Sequence, residues 1–173
     1  CIINNAFYLR SNDPEKISDL DFDFSLKGTL SSVFKCIREI IPIYKKQNFG
    51  KIINVSSMYG FISPTFEIYK NFEHIISSPA YGSAKAGIIQ LTKYYASYLG
   101  EYNVNVNCVS PGAFPSLEVQ KNIEFIERLK NKTVLNRIGN PKDLGGVFSF
   151  LSSDLSNYIT GQNIVVDGGW SIR

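Results

Sequence analysis

Tyr81 and Lys85, in the pentapeptide YGSAK, stand four residues apart at the head of an apolar-periodic run, AGIIQLTKYYASYLG. Residues at that separation share one helix face. A phenol titrates near about 10 in water and is a poor acid or base at neutral pH unless its surroundings tune it. An ammonium one turn away, and the positive end of a helix, both favour phenolate and are expected to lower that value. The pair therefore has the makings of a proton donor and the cation that tunes it. The same spacing also arises on any solvated helix face, and spacing alone leaves both readings open. A hydroxyl that could hold a substrate oxygen beside the phenol is available upstream, in Ser56-Ser57.

Other chemistries fit the sequence less well. His74 is the single histidine, which disfavours histidine-based triads and multi-histidine metal sites. Cys1, Cys36 and Cys108 are odd in number and widely spaced, so free thiols in a reducing cytoplasm are expected rather than a zinc site or a disulfide framework. Net charge is +3 with Lys and Arg scattered along the chain, so nucleic acid is not an expected partner. No apolar run is long enough to span a bilayer, and no signal peptide is visible, so no membrane partner is expected. The aromatic content is read first as core and interface.

The elements that must position these residues follow from periodicity. The length suits a single domain over residues 1–173. Short β-branched runs at Ile2-Ile3, Lys51–Val55, Val104–Val109 and Ile164–Val166 read as buried strands. Helical spacing is found over Leu26–Lys46, with Pro42 expected to bend or interrupt its last turns. It recurs over Tyr81–Leu99, where Ala84, Ile88, Leu91, Tyr95 and Leu99 make one stripe and Gly100 is expected to stop the helix. Further helices are expected over Leu117–Asn131 and from Asn140-Pro141 to about Leu151. Strands alternating with helices predict an α/β fold, a doubly wound parallel sheet covered on both faces. Between Ser56 and Pro79 lies a long aromatic-rich connection, with an extended loop at about 58–80. It is expected either to wall a substrate pocket, with Glu67, Tyr69 and His74 as polar contacts, or to pack for stability or a subunit contact.

In such a sheet, ligands gather at the carboxyl ends of the strands. Asn4-Asn5-Ala6, Ser56-Ser57, Ser110-Pro111-Gly112 and Asp167-Gly168-Gly169 all fall there. The ordered set NNA, KIINVSS, YGSAK, NVNCVSPG and GQNIVVDGGW resembles the short-chain dehydrogenase/reductase family, classical type, over essentially the whole chain. The resemblance covers only the C-terminal two-thirds or so of a family domain. It implies a Rossmann-like fold and a hydride exchanged between NAD or NADP and a carbonyl or secondary alcohol. It assigns Tyr81 as proton donor, Lys85 as its tuner and a ribose ligand, and Ser57 as the hydroxyl beside them. On the cofactor side it points to Asn4, Ala6, Pro111, Gly112 and Ser116, together with Tyr81 and Lys85. No metal is implied. The long loop and MYG resemble members of bacterial surface-sugar and flagellin-glycan pathways, which implies a sugar-type substrate. The family implies a homodimer or homotetramer joined through the Leu26 and Tyr81 helices.

Three departures stand out. Ser25 in SLKG occupies the place where the family usually carries an asparagine that holds a relay water. Phe7 replaces the glycine of NNAG and adds bulk near the expected cofactor. The glycine-rich turn that cradles a pyrophosphate is absent, and CIINNA reads as a strand already running into its loop. The expectation is therefore a chain without its natural beginning, an incomplete domain missing its first βαβ units that binds dinucleotide poorly by itself. These departures also motivate an alternative, a catalytically weakened member that serves as a binding or scaffold subunit.

Overall fold

A computed structural model describes residues 1–173. Four strands form one sheet in the order β1 (Ile2–Asn4), β2 (Gly50–Val55), β3 (Val104–Pro111), β4 (Asn163–Val166), and every pair is parallel. Parallel neighbours need crossovers, and helices supply them. Helices α1 (Asp19–Leu26) and α2 (Ser32–Gln47), joined by a π turn at Lys27–Ser31, carry the chain from β1 to β2. Helix α3 (Pro79–Leu99) joins β2 to β3. Helices α4 (Leu117–Gln120), α5 (Ile123–Lys132) and α6 (Lys142–Ser152) lie between β3 and β4.

Both sheet faces are covered, which explains why the whole of KIINV is buried, Lys51 and Asn54 included. All six residues of β2 are buried. Ile52 packs with Ile37, Ile88, Leu99 and Val106 on the α2/α3 side, while its neighbour Ile53 packs with Val109 and Leu151 toward α6. That opposition is the doubly wound arrangement the pattern predicts. A line of buried amides ties the layers at the site end. Asn4 Nδ2 donates to Asn54 Oδ1 at 2.8 Å, Asn54 Nδ2 donates to Thr92 Oγ1 at 2.9 Å, and Thr92 Oγ1 donates to the Ile88 carbonyl at 2.8 Å. Each such bond contributes about 1 kcal/mol net, and leaving one partner unmatched costs more.

Several boundaries differ from expectation for local reasons. The first helix starts at Asp19, where the Ser18 hydroxyl accepts from Asp21 N. After the π turn, α2 runs through Pro42 to Gln47 without interruption. Pro42 and Arg38, whose carbonyl loses its partner, both face solvent, so water can satisfy the freed group. Helix α3 begins at Pro79, because Ser78 caps it by accepting from Ala80 N and proline fits the first position. Gly100 does not provide the left-handed stop; Asn103, at φ 54°, does. The 117–131 segment is two helices, since Asn122 caps α5 by accepting from Phe125 N. Within α3 the buried stripe is Ala84, Ile88, Tyr95 and Leu99, with Thr92 buried more deeply than Leu91.

The long connection is ordered by a core of its own. Three short 3-10 turns, Met58–Gly60, Phe66–Tyr69 and Glu73–Ile75, carry it. Met58, Ile68, Tyr69 and Phe72 pack on Phe125, Ile126 and Leu129 of α5. Arg128 donates from Nη1 to the carbonyls of Ile68 and Lys70 at 3.1 and 2.6 Å. No helix is long and apolar enough to cross a membrane.

Candidate active site

The head of the connection lies backbone to backbone on the first turns of α3. Ser56 Oγ donates to the Lys85 carbonyl at 2.7 Å. A Cβ on Gly60 would stand 2.9 Å from the carbonyl carbon and oxygen of Lys85, and one on Gly82 would stand 3.1 Å from the Tyr59 carbonyl. This contact brings the end of β2 to the start of α3 and places Ser57 beside Tyr81. Gly60→Ala collides with backbone that has no cheap way to move. We expect it to lower the ligand-independent Tm and to cut kcat/KM by about 10- to 100-fold through misplacement of Tyr81. Thermal melts and steady-state kinetics of that variant check the point.

Lys85 is almost fully buried at 2% exposure. Its Nζ donates to the Val55 carbonyl at 2.8 Å, just past Asn54, the last residue of β2 paired with β1. An ammonium has three protons and only one is committed, so two remain for another acceptor. Burial pulls the ammonium down to about 8, against a smaller opposing influence of the Cys108 thiol. Tyr81 stands the other way from expectation. Burial raises its pKa above the ordinary value, and the nearby Ser57 hydroxyl offsets only part of that rise. Lys85 Nζ lies 5.6 Å from the centre of the Tyr81 ring and makes no bond to the phenol, so desolvation outweighs its charge. The phenol is therefore a neutral, proton-bearing group at physiological pH.

Phe7 covers the pair. Its ring meets Tyr81 edge-on at 5.8 Å between centres, and Lys85 Nζ lies 5.1 Å from its centroid. Two clefts open on either side. One, of about 570 Å³, is bounded by Ile3, Asn5, Val55, Lys85, Pro111 and Phe148 among others. The other, of about 460 Å³, is bounded by Tyr59, Tyr69, Ile76, Phe114 and Phe125 among others. Phe7, Ser57, Tyr81, Gly112 and Phe114 border both. The first cleft suits a nicotinamide nucleoside: apolar surface accepts a flat ring, and the two free protons of Lys85 can reach sugar hydroxyls.

The remaining candidates are placed differently. Asn4 is buried in its bond to Asn54, and its neighbour Asn5 borders the first cleft instead. Ala6 is exposed beyond β1. Gly112 is required by packing, since a Cβ there would lie 2.5 Å from Asp167 Cα. Ser116 caps α4, accepting from Val119 N at 3.4 Å, and is exposed. Ser25 is fully buried, donates to the Asp21 carbonyl at 2.8 Å and accepts from Arg10 N at 3.0 Å. Its bonds run to α1 and the preceding loop, away from Lys85. The helical ladder widens at the π turn that follows, where buried Thr29 donates from Oγ1 to the Tyr8 carbonyl at 3.3 Å. The cluster GTLSS was the available signal for that opening. Glu67 and His74 are exposed and border neither cleft, whereas Tyr69 does.

A family model described as enoyl-(acyl carrier protein) reductase matches residues 1–171. This chain is a member of the short-chain dehydrogenase/reductase family. It is 36% identical over 148 residues to the post-translational flagellin modification protein A of Campylobacter coli, covering 86% of this chain and 56% of that protein. It is 31% identical over 180 residues to the 2-dehydro-3-deoxy-D-gluconate 5-dehydrogenase of Escherichia coli K12, covering 99% and 65%. Among solved structures, a short-chain dehydrogenase from Leptospira borgpetersenii with bound NAD+ superposes with a TM-score of 0.87 at 36% identity, covering 98% of this chain and 63% of that one. The chain thus spans less than two thirds of the length of these relatives.

Proposed function

We propose that the protein containing this chain is an NAD- or NADP-dependent oxidoreductase acting on a carbonyl or secondary alcohol, of sugar type. The observation that carries the reading is the neutral phenol of Tyr81 standing, with Ser57, at the border of two clefts, one of which is also bordered by the ammonium of Lys85 with two protons uncommitted. Lys85, Asn5, Pro111 and Gly112 would hold the nicotinamide side of the dinucleotide, which supplies or accepts the hydride when bound. Ser57 and Tyr81 receive the substrate oxygen by hydrogen bonds. In the reducing direction Tyr81 passes its proton to that oxygen, and in the oxidising direction it takes the proton back. The flagellin-modification and gluconate relatives support a sugar-type substrate. Three free cysteines support a reducing cytoplasm. Exposed Phe34, Tyr94 and Tyr98 on α2 and α3 support a homodimer or homotetramer built through those helices.

The reading is tested by adding NADH or NADPH and a panel of ketones, keto-sugars included, to the protein containing this chain and following cofactor oxidation. The pH profile adds a second check. Tyr81, raised above its ordinary value, keeps its proton through neutrality, whereas Lys85 loses its charge near 8. Reduction is therefore expected to be level below about pH 8 and to fall above it. Lys85→Arg, which keeps its charge to higher pH, should move that limb upward.

A further inference from the structure

Among the polar side chains of the second cleft that the proton transfer does not use, two phenols stand together. Tyr59 and Tyr69 approach with their hydroxyls 2.9 Å apart, and neither hydroxyl has another partner. Two phenols joined by one hydrogen bond leave one O–H and several lone pairs uncommitted. Both rings are held rigidly. Tyr69 packs on Phe125 with centres 5.7 Å apart, and Tyr59 packs against the same apolar cluster, which includes Met58 and Phe125. Burial raises the pKa of each, so both are neutral donors and acceptors. No Lys, Arg, Asp or Glu borders this cleft. A charged substrate group would enter it without a counter-ion, at a high desolvation cost.

We infer that the Tyr59–Tyr69 pair is the second polar anchor of the substrate site, and that it selects an uncharged carbonyl compound bearing a further hydroxyl oxygen. This deepens the oxidoreductase reading and rests on it. The carbonyl oxygen goes to Ser57 and Tyr81, the second oxygen to the phenol pair, and the carbon skeleton lies against the apolar wall. A site built to bond a hydroxyl discriminates strongly against analogues that lack it, because its own buried groups are then left unpaired.

The test compares cyclohexanone, its 2-, 3- and 4-hydroxy derivatives and 4-oxocyclohexanecarboxylate as substrates of the protein containing this chain. At least one hydroxycyclohexanone should exceed cyclohexanone in kcat/KM by about tenfold or more. That preference should collapse toward unity in Tyr59→Phe or Tyr69→Phe, chiefly through KM, while Tyr81→Phe abolishes turnover of every ketone. The phenylalanine variants keep the rings, and unchanged thermal melts would exclude a folding defect. A preference that survives in both variants, or carboxylate turnover above that of the neutral ketones, overturns the inference and leaves the oxidoreductase reading intact. Failure of the wild type to reduce any ketone overturns both.

Discussion

Tyr81→Phe is expected to lower kcat for carbonyl reduction by roughly a hundred- to ten-thousandfold, the range a positioned general acid contributes. The substitution removes one oxygen and keeps the ring that meets Phe7 edge-on. Folding should therefore be unaffected, and KM should change little, because the proton is delivered only as the oxygen becomes alkoxide. Ser57 remains to hold the carbonyl, so binding without turnover is the expected phenotype. Stopped-flow measurement of hydride transfer, alongside equilibrium binding of the reduced cofactor, separates the two. A variant that retains wild-type kcat would remove Tyr81 from the chemistry.

Lys85→Met should abolish activity comparably and yet leave the protein no less stable at neutral pH. The ammonium is buried to 2% exposure with a single carbonyl partner, and its pKa falls from 10.5 to about 8. A folded-state value below the unfolded one means that the unfolded chain binds more protons between those limits. The cost of burying the charge is fully present below about pH 8 and fades as pH rises toward 10.5. Between pH 7 and pH 10 the wild type should thus gain roughly 2–3 kcal/mol relative to Lys85→Met, which has nothing to titrate. Urea unfolding of both proteins at the two pH values measures the difference. Loss of the bond to Val55 costs about 1 kcal/mol and offsets part of the relief. A wild-type advantage that is independent of pH would mean that the ammonium is not desolvated as the structure has it.

Much of this was legible in the sequence for identifiable reasons. The strands announced themselves because sheet residues buried on both faces cannot alternate, as in KIINV. YGSAK placed Tyr81 and Lys85 on one face because helical spacing leaves no other choice. What it could not supply was the sign of the Tyr81 shift. That depends on how deeply two side chains sink and on a 5.6 Å separation, neither of which periodicity encodes. The same limit applies to Ser25, where position in a motif suggested a relay while its hydroxyl is spent on Asp21 and Arg10. Ser78, Asn122 and Asn103 set boundaries that the apolar pattern blurred, because a single capping side chain or left-handed residue leaves no periodic trace. The partnership of Tyr59 with Tyr69 spans ten residues of loop, and only the docking of that loop on α5 brings the two together.

The most direct measurement is transfer of label. The protein containing this chain is supplied with reduced nicotinamide dinucleotide deuterated at its hydride position and a neutral ketone. Wild type should place deuterium on the carbinol carbon of the alcohol in step with cofactor oxidation, and Tyr81→Phe should bind the cofactor and transfer almost none. Transfer at wild-type rate by Tyr81→Phe, or wild-type protein that binds cofactor and ketone yet moves no deuterium, would contradict the account.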